Sequence, residues 1–177
     1  MLHYMCRMRA EGMFPFLFLL LGVKMNKAVW NAQFTEAENW LTSKGYQVVQ
    51  KTDAEDSIVW ADKTVYIDSR CHPESRFYTL LHECGHLLIA QSSKQWAKDV
   101  PMYASAVDLR IEKSKAYKVS LVAEEIEAWK RGRRLGNKLD LYIDDEKYDK
   151  MITECVFSYI EDAARTVVLA HAARTNQ

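Results

Sequence analysis

The chain has 177 residues, with 24 basic and 24 acidic side chains and five histidines. That length suits a single domain with a real core, and the balanced charge argues against a dedicated binder of nucleic acid or of an anionic membrane. The four cysteines show no C-x-x-C spacing, so reduced thiols in a cytoplasmic protein are the simplest account of them.

Residues 1–24 stand apart from the rest. Arg7 and Arg9 precede an apolar run over 13–23, which has the character of a signal-peptide core. The run is too short to span a bilayer, contains Pro15, and lacks a small-x-small cleavage site ahead of Lys24. Met25 opens a more ordinary start. Two readings stay open: an upstream start codon taken in error, or a weak signal or anchor that would export or tether the chain. The domain proper is expected over 25–177.

Residues 32–44 predict a short helix with Phe34, Ala37, Trp40 and Leu41 on one face, closed by Gly45. A strand is expected over 46–50. Residues 57–60 and 64–68 are β-branched and aromatic segments joined by Ala61-Asp62-Lys63, the pattern of a hairpin. A turn over 69–73 then enters a helix, with Pro73 or Glu74 near its first turn. A strand edge beside that helix would let an extended peptide add as a further strand.

The helix over 77–90 carries His82-Glu83-Cys84-Gly85-His86, which matches the HExxH pattern of zinc peptidases. Chance alone would produce such a match in roughly one sequence of this composition in a hundred. Positions i and i+4 on a helix differ by only about 40°, so both imidazoles leave one face a turn apart and can close on one ion. Glu83 projects along the flank, where it can reach a metal-held water without being a ligand. With His82 at 0°, Phe77, Leu80, Leu81, Cys84, Leu87 and Leu88 fall between about 140° and 260°. Thr79, His82, Glu83 and His86 fall between about 0° and 100°, opposite that apolar face.

A catalytic zinc site needs a third protein ligand and a water. Residues 92–118 are polar and mixed in charge, and read as a solvated helix or flap. The following helix, over 119–135, offers three acids. With Val122 at 0°, its apolar arc runs from about 240° to 40°. Glu125 falls inside that arc, Glu124 at its edge, and Glu127 away from it. An ionised carboxylate aimed at the core is costly unless paired or bound to metal. Glu125 is therefore the expected third ligand, with Glu124 in reserve. The alternative for Glu125 is a partly buried salt bridge to Arg133 or Lys118. The basic run Lys130-Arg131-Gly132-Arg133-Arg134 needs no partner beyond a helix C-terminus. Residues 145–172 predict a long helix whose stripe of Tyr148, Met151, Ile152, Cys155, Val156, Tyr159, Ile160, Ala163 and Val167 is a core face or a helix-pairing seam.

The stretch Arg76-Phe77-Tyr78-Thr79-Leu80-Leu81-His82-Glu83-Cys84-Gly85-His86-Leu87-Leu88 resembles the active helix of the ImmA/IrrE family of gluzincin-type metallopeptidases. Glu125-Ile126-Glu127-Ala128-Trp129 resembles that family's second signature, and the likeness spans roughly residues 58–135. It implies an α+β, minimal zincin-like fold: a small β-sheet, an HExxH helix, a glutamate-bearing second helix and a long C-terminal helix. It also implies zinc (Zn2+) held by His82, His86 and Glu125, with Glu83 as general base. The chain departs from the pattern at three places. Trp129 stands where gluzincins place a polar residue that orients the first histidine, Cys84 stands at a position usually apolar, and the spacing between His86 and Glu125 is long.

The function expected is a zinc metalloendopeptidase acting on a protein or peptide, with no nucleic-acid partner. Membrane association is expected only if residues 1–24 are a true anchor. Oxyanion stabilisation needs a further donor, for which Tyr78, Tyr103, Tyr117 and His72 all stay open. The resemblance adds helix-turn-helix repressors as a substrate class. Two other classes compete: a non-catalytic zinc-binding regulatory or interaction module, and an interaction protein whose motif is fortuitous.

Overall fold

Asn26 sets the start of the first helix. Its side-chain oxygen accepts hydrogen bonds from the backbone N–H groups of Ala28 and Val29 at 2.9 and 3.1 Å, an N-cap that satisfies donors with no intrahelical partner. Helix α1 therefore runs Lys27–Ser43 in the computed structural model, which describes residues 25–92, 94–95 and 114–175, with side chains through residue 165. The start lies ahead of residue 32, where apolar spacing placed it, and brings Trp30 into the buried face with Phe34, Ala37 and Leu41. At the other end Gly45 takes φ +82°. Its N–H reaches Thr42 O while that of Tyr46 reaches Leu41 O, the paired closure in which glycine avoids a Cβ penalty.

Because Tyr46 spends its N–H on that closure, strand β1 begins one residue later than expected, at Gln47–Lys51. Strands β2 (Ser57–Val59) and β3 (Thr64–Asp68) pair antiparallel, with Ile58 opposite Val65, as the hairpin pattern predicts. The sheet order is β1-β3-β2, and β1 lies parallel to β3 with Val49 opposite Tyr66. The central strand is buried at Thr64, Val65, Ile67 and Asp68, as a strand covered on both faces should be.

Three further helices follow: α2 (Pro73–Gln91), α3 (Lys115–Lys138) and α4 (Asp145–Thr175). The described residues thus form an α+β arrangement of four helices and a small three-stranded mixed sheet. Among them no helix is long and apolar enough to cross a membrane. The segment 1–24, Tyr103 and most of 92–118 lie outside the described residues. Helix α3 starts before residue 119 and ends after 135. Its end repeats the α1 device with Asp140 in place of glycine: Asp140 has φ +54°, its N–H bonds Asn137 O, and that of Leu141 bonds Gly136 O.

The chain divides into two compact units. The first holds the described residues through Cys84 together with Gly132–Ile143. Its core joins Trp30 to Phe77 and Tyr78, with ring centroids 5.9 and 5.7 Å apart, and to buried Val65, Ile67, Leu80 and Leu81. The second holds Gly85–Arg131 and the described residues from Asp144 onward. There Trp129 meets Tyr148 edge to face at 5.4 Å, and the Tyr148 hydroxyl donates to the Trp129 carbonyl at 3.1 Å. The stripe on α4 is core at Tyr148 and Val156. It opens to solvent further on, where Ile160 and its neighbour Phe157 are exposed. Lys118 pairs with Asp162 at 2.8 Å.

One ion pair in the first unit sets an acid limit. The Arg70 guanidinium donates to both Asp68 carboxylate oxygens, its Nη2 lying 2.8 Å from Oδ2. This holds the Asp68 carboxyl down at about 2, with the Arg70 backbone N–H helping. A carboxyl depressed in the folded chain contributes stability above its unfolded value of about 3.9, and that contribution fades as pH falls through the folded value. Arg70→Met should therefore lower the urea midpoint at pH 6. The gap from wild type should close between about pH 4 and 2. The effect is modest because Arg70 is mostly solvated. An equal gap at both ends of that range would contradict it.

Candidate metal centre

The centre is assembled from two helices. On α2, His82 and His86 lie one turn apart, and Glu125 comes from α3. One ligand atom from each of the three lies within 4.8 Å of the others, and His86 Nε2 is 3.6 Å from Glu125 Oε1. Nitrogen and oxygen donors about 2.0–2.2 Å from a tetrahedral ion stand roughly 3.3–3.5 Å apart, so the His86–Glu125 separation is near what one ion requires. The donor set also fits: two imidazoles and one carboxylate suit zinc. His82 and Glu125 are buried, at 8 % and 5 % exposure.

Glycine explains how α3 comes so near. A Cβ on Gly85 would lie 1.9 Å from the Ala128 carbonyl oxygen and 2.9 Å from the Ala128 Cα. The two backbones are in direct contact, which only a residue without a side chain permits. Ala128 is one turn beyond Glu125 on α3, so this crossing sets the height at which the carboxylate enters. The crossing is held at a second place by Arg131. Its guanidinium donates to the Leu88 carbonyl at 2.7 Å and to Ser92 Oγ, while its Nε pairs with Glu127 at 2.8 Å. That carbonyl belongs to the last turn of α2, where acceptors lack helical partners and cations are favoured. The basic run on α3 thus serves the C-terminal end of α2 rather than only its own.

Each nitrogen of the His86 ring faces a carboxylate. Nδ1 is 3.2 Å from Glu124 Oε1, and Nε2 faces Glu125. If Nδ1 donates its proton to Glu124, the neutral ring presents a lone pair at Nε2 to the Glu125 carboxylate. That arrangement is repulsive unless a cation stands there, either a second ring proton or a metal ion. Compared with protein-family models, with curated proteins and with solved structures, the chain matches none of them.

Of the expected site residues, His82, His86 and Glu125 are thus brought together, and Glu124 sits behind His86 rather than in the cluster. Glu83 is buried beside them on α2, at 5 % exposure. The expected division of α2 into an apolar and a chemical face is not what the structure shows. Residues 77 through 85 are all buried, Thr79, His82 and Glu83 included. Gly85 lies at about 300° on the same wheel, next to the histidines, and its contact with α3 covers a flank that the apolar pattern left open. Lys118, one of the two salt-bridge partners open to Glu125 by sequence, pairs with Asp162 at 2.8 Å.

The oxyanion candidates also separate. Tyr78 is buried among Trp30 and Phe77, and its hydroxyl donates to Glu74 at 3.1 Å. His72 Nδ1 accepts from the Glu74 N–H at 3.3 Å, a capping role at the start of α2. Tyr117 is half-buried in the first turn of α3. Cys84 is fully buried, and burial, reinforced by the Glu83 carboxylate, pushes its thiol well above the usual range. It is a space-filling thiol, not a nucleophile. Sequence reasoning missed Asp56, ahead of β2. Its carboxylate accepts the Asp68 N–H at 2.7 Å and feels the His82 imidazole. Partial burial pushes its carboxyl up. An acid so far upstream of the motif leaves no spacing signal.

Proposed function

We propose that this chain is a zinc-dependent metalloendopeptidase of the gluzincin kind, similar to the ImmA/IrrE enzymes, with a minimal zincin-like domain. His82, His86 and Glu125 would hold Zn2+, and Glu83 would be the general base. The observation that carries the reading is the buried convergence of two imidazoles and a carboxylate, with a second carboxylate behind one of the rings.

Zinc bound there would lower the pKa of a water towards neutrality and polarise a peptide carbonyl. The chain's own residues do the rest. Glu83 Oε takes the proton of the attacking water, then delivers it to the departing amine nitrogen. Burial of Glu83 excludes competing water and raises the strength of its interactions. The two histidines are fixed by one rigid helical turn, so their separation changes little when an ion enters. A protein or peptide is the substrate class, and helix-turn-helix repressors are the first proteins to try because the ImmA/IrrE resemblance implies them. No nucleic-acid partner is proposed, and the site is proposed to work in the cytoplasm.

Metal analysis tests the ligand set. Purified wild type should carry about one zinc per chain, and Glu125→Gln should carry little while melting near wild type, since three protein ligands are the working minimum. Equal zinc in both would remove Glu125 from the site. Wild type should also cleave peptides in a random library, and chelation should stop it.

A further inference from the structure

Glu124 was a reserve ligand by sequence, but its carboxylate meets the far side of the His86 ring. We infer that Glu124 is a positioning residue: by accepting the Nδ1 proton of His86 it fixes the tautomer and turns Nε2 towards the metal. The inference rests on the proposed zinc site and adds a residue to it. Three observations carry it. His86 Nδ1 and Glu124 Oε1 are 3.2 Å apart. Both side chains are largely shielded, with 16 % and 20 % exposed, so water competes poorly for the ring N–H. Finally, the other ring nitrogen faces Glu125, the third member of the cluster.

The neighbouring positions on α3 divide the work. Successive helical residues diverge by about 100°, so Glu124 and Glu125 cannot approach His86 from one side. They take it from its two nitrogens instead. A metal-bound imidazole that donates its other N–H to a carboxylate is held in orientation and made a stronger donor. The role matters more here because Trp129 stands where an orienting polar side chain for His82 was expected. Its ring instead packs on Tyr148 in the second unit. His86 has the Glu124 carboxylate behind it, and Asp56 senses the His82 imidazole.

The test uses the full chain with two measurements. Zn2+ affinity is read by competition with a chromophoric chelator, and the ring tautomer is read by 15N spectra of the metal-free histidines at pH 8. His86→Gln identifies the His86 signals. In wild type Nδ1 of the His86 ring should carry a proton, alone or together with Nε2. Glu124→Ala should leave Nδ1 bare with the ring proton on Nε2, the form favoured in solution, and weaken Zn2+ by about 10–100-fold. Glu124→Gln keeps an acceptor oxygen, so it should keep the wild-type tautomer and recover most of the affinity. Should the alanine variant melt early, Glu124→Met repeats the deletion with the helical stem retained. Unchanged affinity and tautomer on deletion would overturn the inference. So would a loss of zinc as complete as that of Glu125→Gln, because Glu124 would then be a ligand. A wild type that takes up no zinc would instead sink the site reading itself.

Discussion

Gly85→Ala is expected to destabilise the chain and to empty the metal centre together. On helix propensity alone the sign would be opposite, because alanine is favoured over glycine inside a helix by about 1 kcal/mol. Steric contact decides against that gain. The added Cβ would sit 1.9 Å from the Ala128 carbonyl oxygen, where ordinary contact begins at 3.4 Å. The obstacle is backbone and cannot rotate away, so α2 and α3 must part locally by about 1.5 Å. Overpacking of this kind costs about 1–3 kcal/mol, before the loss of contacts on either side. Parting also lengthens the 3.6 Å separation of His86 Nε2 and Glu125 Oε1 beyond what one ion can bridge. The measurements are the thermal midpoint and Zn2+ affinity, both expected to fall. Gly136→Ala is the control: its Cβ would meet the tips of Ile143 and Leu81, at 2.7 and 3.1 Å. Flexible side chains can yield, so its effect should be smaller and should leave zinc in place. A Gly85→Ala chain as stable and as zinc-loaded as wild type would mean the helices do not cross as described.

Why some of this was visible in the sequence and some was not follows from the range of the interactions. His82 and His86 share a helical face through local geometry, so their spacing was enough. Glu125 was selected from three acids because a charge inside an apolar arc must be compensated, again a local signal, and it is the carboxylate found in the cluster. The hairpin of β2 and β3 was legible for the same reason. Its turn is short and its strands are β-branched and aromatic. The parallel partnership of β1 with β3 was not, because pairing across a connection leaves no mark on either strand. The N-terminal end of α1 was missed where one cap residue, Asn26, outweighed the apolar spacing. The burial of α2 on nearly every side was missed because Gly85 carries no hydrophobic signal, although it marks the closest approach of another backbone. Arg131 read as part of a charged run, yet its value lies in a carbonyl 43 residues away in sequence.

The second large effect is expected at Glu83. Glu83→Gln changes one carboxylate oxygen to an amide nitrogen, keeps the size of the side chain, and removes the group able to take a proton from water. Zinc content and thermal midpoint should stay at wild type, since Glu83 is not among the three clustered ligands and a neutral amide is no harder to bury than a carboxylate. Cleavage of a peptide substrate should fall by about 10²–10⁴-fold, the usual contribution of a general base. The loss should appear in kcat rather than KM, because the group acts on the reacting proton rather than on substrate binding. Cells producing Glu83→Gln can be compared with cells producing wild type by proteomics. The proteins that shorten only in the second case are the substrates, and a repressor among them would identify the regulatory target. Undiminished cleavage by Glu83→Gln would sink the assignment of the base. A chain that holds zinc through His82, His86 and Glu125 but cleaves nothing with Glu83 intact would be a zinc-binding interaction module instead. The two results separate because zinc retention and turnover are measured independently on the same pair of chains.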